Sequence, residues 1–209
     1  MLEEKRLSAR KKPKQQRSRQ TVERILDATR ELLKSTDGAG SARLTTHQIA
    51  RTAGISVGSL YQYFPNTEAV VFEVYREILD KVQTILDEFD SMEYLALPRD
   101  EFFEILNRKL TEAEPDTEIV LAMLNVSKTY PMLQEEERRH AERTAKRIAA
   151  FLRHYGSTWP MKKLERLVLY VFYMDHGAWM YRAHVDPERK EILDWEVATV
   201  NFVMMQCFD

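Results

Sequence analysis

The sequence predicts an all-α chain, and three observations predict it. Glycine and proline are scarce, 6 and 7 in 209 residues, so little turn chemistry interrupts long helices. Apolar residues recur at three- and four-residue spacing, and no stretch alternates with the period of a strand. Pro98, Pro115, Pro131, Pro160 and Pro187 fall between the periodic stretches, where helices end. With 44% hydrophobic residues the chain can bury a sizeable core.

Residues 1–16 hold Lys5, Arg6, Arg10, Lys11, Lys12 and Lys14 with almost no apolar content and read as a disordered basic arm. Val22, Ile25, Leu26, Thr29, Leu32 and Leu33 then form one helical stripe, which predicts a helix over about 19–35. The loop STDGAGSAR follows. Thr45 and Gln48 have capping-box spacing and start a second helix, whose inner face is Ile49, Ala50 and Ala53. Gly54 is suited to the left-handed stop, and Ser56 caps a third short helix. Leu60 and Phe64 anchor that helix inward, and Pro65 ends it. Two helices joined by a short Gly-containing turn make a helix-turn-helix.

Thr67 caps a long helix with no turn residue between 68 and 90. Further helices are predicted at about 99–112, 116–128, 131–155, 161–184 and 187–207. These elements group into a helix-turn-helix domain over 17–77 and a helical bundle over 78–209.

Net charge is −2, but it is unevenly placed. Residues 1–66 contain 13 Lys and Arg against 6 Asp and Glu, a balance of +7, and the remainder carries −9. A basic head on an acidic body points to a polyanion at one end only. If Leu60 and Phe64 face inward, Gly58, Ser59, Gln62 and the tyrosines are left outward or at the flanks. No Lys or Glu occurs from 54 to 64, unlike an ordinary solvated face. Small hydrogen-bonding side chains there suit the floor of a DNA groove, with charge supplied by the arm.

The segment RLTTHQIARTAGISVGSLYQYFPNTEAVV resembles the DNA-binding segment of TetR-family, AcrR-like transcriptional regulators. The family pattern runs T-x-x-I-A-x-x-A-G-V-S-x-G-T-L-Y-x-Y-F. Thr45, Ile49, Ala50, Ala53, Gly54, Ser56, Gly58, Leu60, Tyr61, Tyr63, Phe64 and Glu68 match it. The resemblance implies that Thr45 and Thr46 meet phosphates. It also implies that Val57, Gly58, Ser59, Tyr61 and Gln62, opened by Ser56, enter the major groove while Tyr63 touches the backbone. The family's usual lysine before Glu68 is Thr67 here, so a cationic contact is replaced by a hydroxyl. Lys14, Arg17 and Arg19 are the candidate substitutes.

The resemblance further implies a ligand-responsive homodimer, most simply a repressor released from a palindromic operator on double-stranded DNA by a small, largely apolar or amphipathic effector. Residues 164–181 are apolar almost all round, and 187–208 carries two stripes, Leu193, Val197, Val200 and Met204 and then Trp195, Phe202 and Met205. Either these two helices pair with the same helices of a second subunit, or they are interior helices of a monomer. Asp175 and His176 interrupt the apolar run. They read as polar anchors of an effector pocket with Phe103, Met123, Tyr130, Tyr173 and Trp179, or as a satisfied polar pair in the core or at the dimer seam.

Other classes fare worse. Glu137 and His140 have E-x-x-H spacing, but di-iron bundles need two copies, and no other histidine has Glu three before it. EEERRHAERTAKR reads instead as an ion-paired solvent face. One cysteine, Cys207, excludes an internal disulfide and a multi-cysteine zinc site and fits a reducing cytoplasm. The apolar run LVLYVFYM is too short for a bilayer. We therefore expect no enzyme activity, cofactor, metal or membrane partner; a DNA-binding dimer without an effector is the remaining alternative.

Overall fold

The computed structural model describes residues 16–35, 44–113, 131–185 and 190–208. They form α1 (Gln16–Ser35), α2 (Thr46–Thr52), α3 (Val57–Tyr63), α4 (Thr67–Phe89), α5 (Met92–Leu95), α6 (Arg99–Glu112), α7 (Pro131–His154), α8 (Met161–Val185) and α9 (Lys190–Met205). The expected helix at 116–128 lies outside the described residues, and α5 is an addition. The first helix begins at Gln16, earlier than its apolar stripe, because a run of good helix formers precedes Val22. No strand occurs among the described residues.

The chain divides into two compact units. The first runs to Ile78 and includes the start of α7; the second holds Leu79 to Glu114 and everything from Glu135. Helices α4 and α7 contribute to both.

In the first unit Ile25, Leu26 and Leu33 of α1 share a core with Ile49, Leu60, Phe64, Val70, Val71 and Val74, joined by Leu133. Phe64 and Leu60 are completely enclosed. Truncating either to Ala costs about 2–5 kcal/mol, enough to endanger a domain of this size. Arg30 of α1 reaches Asp27 at 2.6 Å and also pairs with Glu77 of α4, which holds those two helices in register.

The second unit is built on an aromatic cluster. Phe102 meets Phe89, Phe103, Phe151 and Tyr155 with ring centroids 4.9–5.4 Å apart, mostly edge to face. Short α5 places Tyr94 flat on Phe89 at 4.1 Å. Helix α9 packs on α6 and α8, with Asn107 and Asn201 hydrogen-bonded across the first contact. Helix α7 ends at His154, and Gly156, with a φ of +97°, turns the chain. Ser157 then donates to the Cys207 carbonyl at 2.7 Å, and so closes the C-terminal end onto α7.

Candidate nucleic-acid interface

Every bond in the α2–turn–α3 unit has a local cause. Thr45 accepts the Gln48 N–H through its hydroxyl, and the Gln48 side chain accepts the Thr45 N–H at 2.9 Å, so the capping box is complete. At the other end Gly54 N–H donates to Arg51 and Ile55 N–H to Ala50, the paired bonds of a Schellman stop. Gly54 carries the required positive φ of +62°. Ser56 caps α3 by accepting the Ser59 N–H at 3.0 Å.

Two side-chain links then fix the motif in three dimensions. Thr46 Oγ1 lies 3.2 Å from Tyr61 Oη, so the first residue of α2 is tied to the middle of α3. Arg24 of α1 donates through Nη2 to the carbonyls of Ala53 at 2.6 Å and Gly54 at 3.1 Å. Those carbonyls have no helical partner at the C-terminus of α2, and a cation is the favourable group there. The turn is therefore pinned from outside the motif.

The outward surface follows. Gly58, Tyr61 and Gln62 are exposed, Val57 and Ser59 beside them are half-buried, and Tyr63 leans against the core. Ser56 is exposed, and Thr46 and Thr67 are half-buried. Between α2 and α3 an open groove is lined by His47, Gln48, Arg51, Ser56 and Val57. The hydroxyls of Thr45 and Ser56 serve their helix caps. Arg17 and Arg19 are exposed on the first turns of α1; Lys14 lies outside the described residues. Sequence reasoning had not singled out Arg24, His47 or Arg51. Arg24 acts on a turn 29 residues away, a pairing that no local pattern encodes.

Residues 25–74 match the family model described as bacterial regulatory proteins, tetR family. These residues form a TetR-type DNA-binding domain. Nucleoid occlusion factor SlmA of Vibrio atlanticus is 34% identical over 80 residues, 36% of this chain and 40% of that protein. SlmA of Aliivibrio fischeri MJ11 is 38% identical over 79 residues, 35% of this chain and 39% of that one. The matches thus span about two fifths of these curated relatives. Among solved structures, a TetR-family regulator of Mesorhizobium loti aligns at TM-score 0.70 and 18% identity over 92% of this chain and 98% of its own. Thermus thermophilus FadR, a TetR-family repressor solved with lauroyl-CoA, aligns at 0.63 and 20% identity over 90% of this chain and 95% of its own. At these identities the likeness is one of fold.

The residues expected to bind an effector have different surroundings within the second unit. Phe103 is sealed in the aromatic core at 1% exposure. Tyr173 stands on the outer side of α8. Asp175 lines a groove between α8 and α9 with Tyr181, Trp195 and Glu196. Met123 and Tyr130 lie outside the described residues, as do the side chains of His176 and Trp179. One expectation needs correcting. The segment EEERRHAERTAKR does carry an exposed ion-pair lattice, with Arg138 bonded to Glu135 and Glu142. His140, however, is 1% exposed and faces the interior beside Ala141, Thr144 and Ala145. Ala141, Thr144 and Ala145, buried on the same side, are small, which lets the helix sink that side.

Proposed function

We propose that this protein is a homodimeric DNA-binding transcriptional regulator, a repressor that leaves a palindromic operator when a small apolar or amphipathic effector occupies the helical body. The observation that carries it is the uncharged, hydrogen-bonding face of α3, presented by a turn that Arg24 pins. Arg17, Arg19 and Lys14 supply phosphate contacts in place of the lysine that Thr67 replaces. Thr45 and Thr46 meet the backbone, Ser56 to Gln62 read bases, and Tyr63 and Thr67 border the groove.

One recognition helix reads few base pairs, so a dimer with half-sites about 34–36 Å apart is the natural form. The surface of the body supports it. On α8, Tyr170, Tyr173, Gly177 and Tyr181 form one exposed stripe, and on α9 Trp195 and Phe202 are 60% and 70% exposed. Large aromatics left in water along two neighbouring helices call for a cover, and a second copy provides one through the same helices. Among the solved relatives, SmeT is the repressor of a multidrug efflux pump, and FadR was crystallised with lauroyl-CoA. Those names favour repression and an apolar effector. Such a protein acts in the cytoplasm, and no described helix is long and apolar enough to cross a membrane.

The test is binding of the purified protein to DNA upstream of its own gene, at low salt and without added small molecules. A protected palindrome supports the reading; indifference to every promoter fragment removes it. The SlmA relatives favour a second reading, a DNA-binding dimer that acts on chromosome organisation without an effector. Genome-wide mapping separates the two, since a handful of promoter sites fits the first and many dispersed sites fit the second.

A further inference from the structure

The buried side of α7 holds a hydrogen-bond series that ends on a ring nitrogen with no partner among the described residues. It begins on Arg147, whose Nη1 contacts Asp87 at 2.7 Å and donates to Gln83, to the carbonyl at 3.1 Å and Oε1 at 3.4 Å. With Oε1 accepting, the Gln83 amide turns its Nε2 to Thr144, donating to Oγ1 at 2.9 Å. The Thr144 hydroxyl is then free to donate onward, to His140 Nε2 at 3.4 Å. A neutral imidazole has one accepting and one protonated nitrogen. With Thr144 as the donor, Nε2 accepts and the proton sits on Nδ1.

Nδ1 is buried and has no hydrogen-bond partner among the described residues. A donor left so costs roughly 1–3 kcal/mol, and native proteins rarely keep one without use. The imidazole is neutral, because burial and the positive charge of Arg143 pull it down to about 4. The Phe172 ring lies 6.1 Å away. A neutral donor beside a cation rejects ammonium groups and favours an oxygen acceptor.

We infer that His140 Nδ1–H is the polar anchor of an effector site in the helical body, and that its ligand is an apolar compound bearing a carbonyl or carboxylate oxygen. The inference rests on the effector reading above and gives it a residue and a chemistry. Gln83 and Asp87, at the other end of the series, belong to α4. That helix also sends Val70, Val71 and Val74 into the core of the DNA-reading unit. A ligand seated on His140 thus acts on a helix the two units share.

The test titrates the full-length protein with decanoate, methyl decanoate and decyltrimethylammonium by calorimetry, using wild type, His140→Phe and His140→Asn. Phe fills the space without a donor, and Asn keeps an N–H close to the Nδ1 position. The expected result is that both oxygen-bearing probes bind wild type and H140N, and bind H140F roughly tenfold more weakly, the loss of one buried hydrogen bond. The ammonium probe does not distinguish the variants. Equal affinity for wild type and H140F, or no binding of either oxygen probe to wild type, overturns the inference. Nitrogen-15 NMR of the wild type gives a measurement independent of any variant: a proton on Nε2 overturns it, and a proton on Nδ1 supports it. Operator binding is followed separately. Probe binding that leaves operator affinity unchanged keeps the His140 site and removes effector release. Operator binding without any probe binding removes the His140 site alone.

Discussion

Replacing Gly54 by Ala tests the pinned turn most directly, because two costs are built into that position. The backbone sits at φ +62°, where an L-residue pays roughly 1–2 kcal/mol. An added Cβ would also stand 3.0 Å from Arg24 Nη2. The guanidinium is the mobile partner, so it moves, and moving loosens its bonds to the Ala53 and Gly54 carbonyls. At this exposed site those bonds are worth about 1 kcal/mol together. Gly54→Ala should therefore cost about 2–3 kcal/mol, read by denaturant unfolding, with operator affinity falling alongside. Gly54→Asn separates the terms, since Asn tolerates the left-handed region and retains only the steric part, about 1 kcal/mol. In an Arg24→Met background the clash and the pin are already gone. The double variant should then cost about 1 kcal/mol less than the sum of the single ones. A Gly54→Ala protein within about 0.5 kcal/mol of wild type, or strict additivity with Arg24→Met, would refute the coupling of turn and pin.

Thr45→Ala should cost about 1 kcal/mol in the same unfolding assay, and Thr45→Ser far less, because the hydroxyl closes the capping box. Gly177→Leu should leave the fold of one chain intact, since nothing lies within 4 Å of a Cβ there, yet yield monomer by light scattering and weak operator binding. Replacing Arg17 or Arg19 with Gln should lower the slope of log affinity against log salt by about 0.9 for each phosphate that is no longer neutralised. The folded His140 titrates at about 4 against 6.5 in the free chain, so the unfolded state takes the proton first as pH falls. Stability is full above pH 6.5 and declines towards pH 4, by at most about 3 kcal/mol, and His140→Phe should abolish that share of the decline.

The DNA-reading head was legible because its signals are local. The caps of α2 and α3, the left-handed glycine and the Leu60–Phe64 spacing act within one or two turns of chain, and each appears in the structure as read; α4 differs, since Asn66, not Thr67, caps it by accepting the Ala69 N–H at 2.8 Å. What escaped depends on distance. Arg24 looks like any polar residue of α1 until the fold brings Ala53 beside it. His140 was lost in a charged string because the string's ion pairs dominate its composition; the small residues Ala141, Thr144 and Ala145 were the available clue to an inward side. On α8 and α9 the sequence showed apolar residues on more than one side of each helix, but not which of them stay outside. The structure sorts it: Val197, Val200 and Met204 turn inward, while Trp195 and Phe202 do not.

The lone thiol offers an experimental opening of its own. Cys207 is 1% exposed, capped by the Ser157 bond to its carbonyl, and burial raises its pKa, so a maleimide should leave the native protein almost untouched. Any labelling then marks the instants when the C-terminal half comes apart, with no engineered probe needed. Comparing that rate with the loss of operator binding on warming would tell whether the body or the reading head fails first.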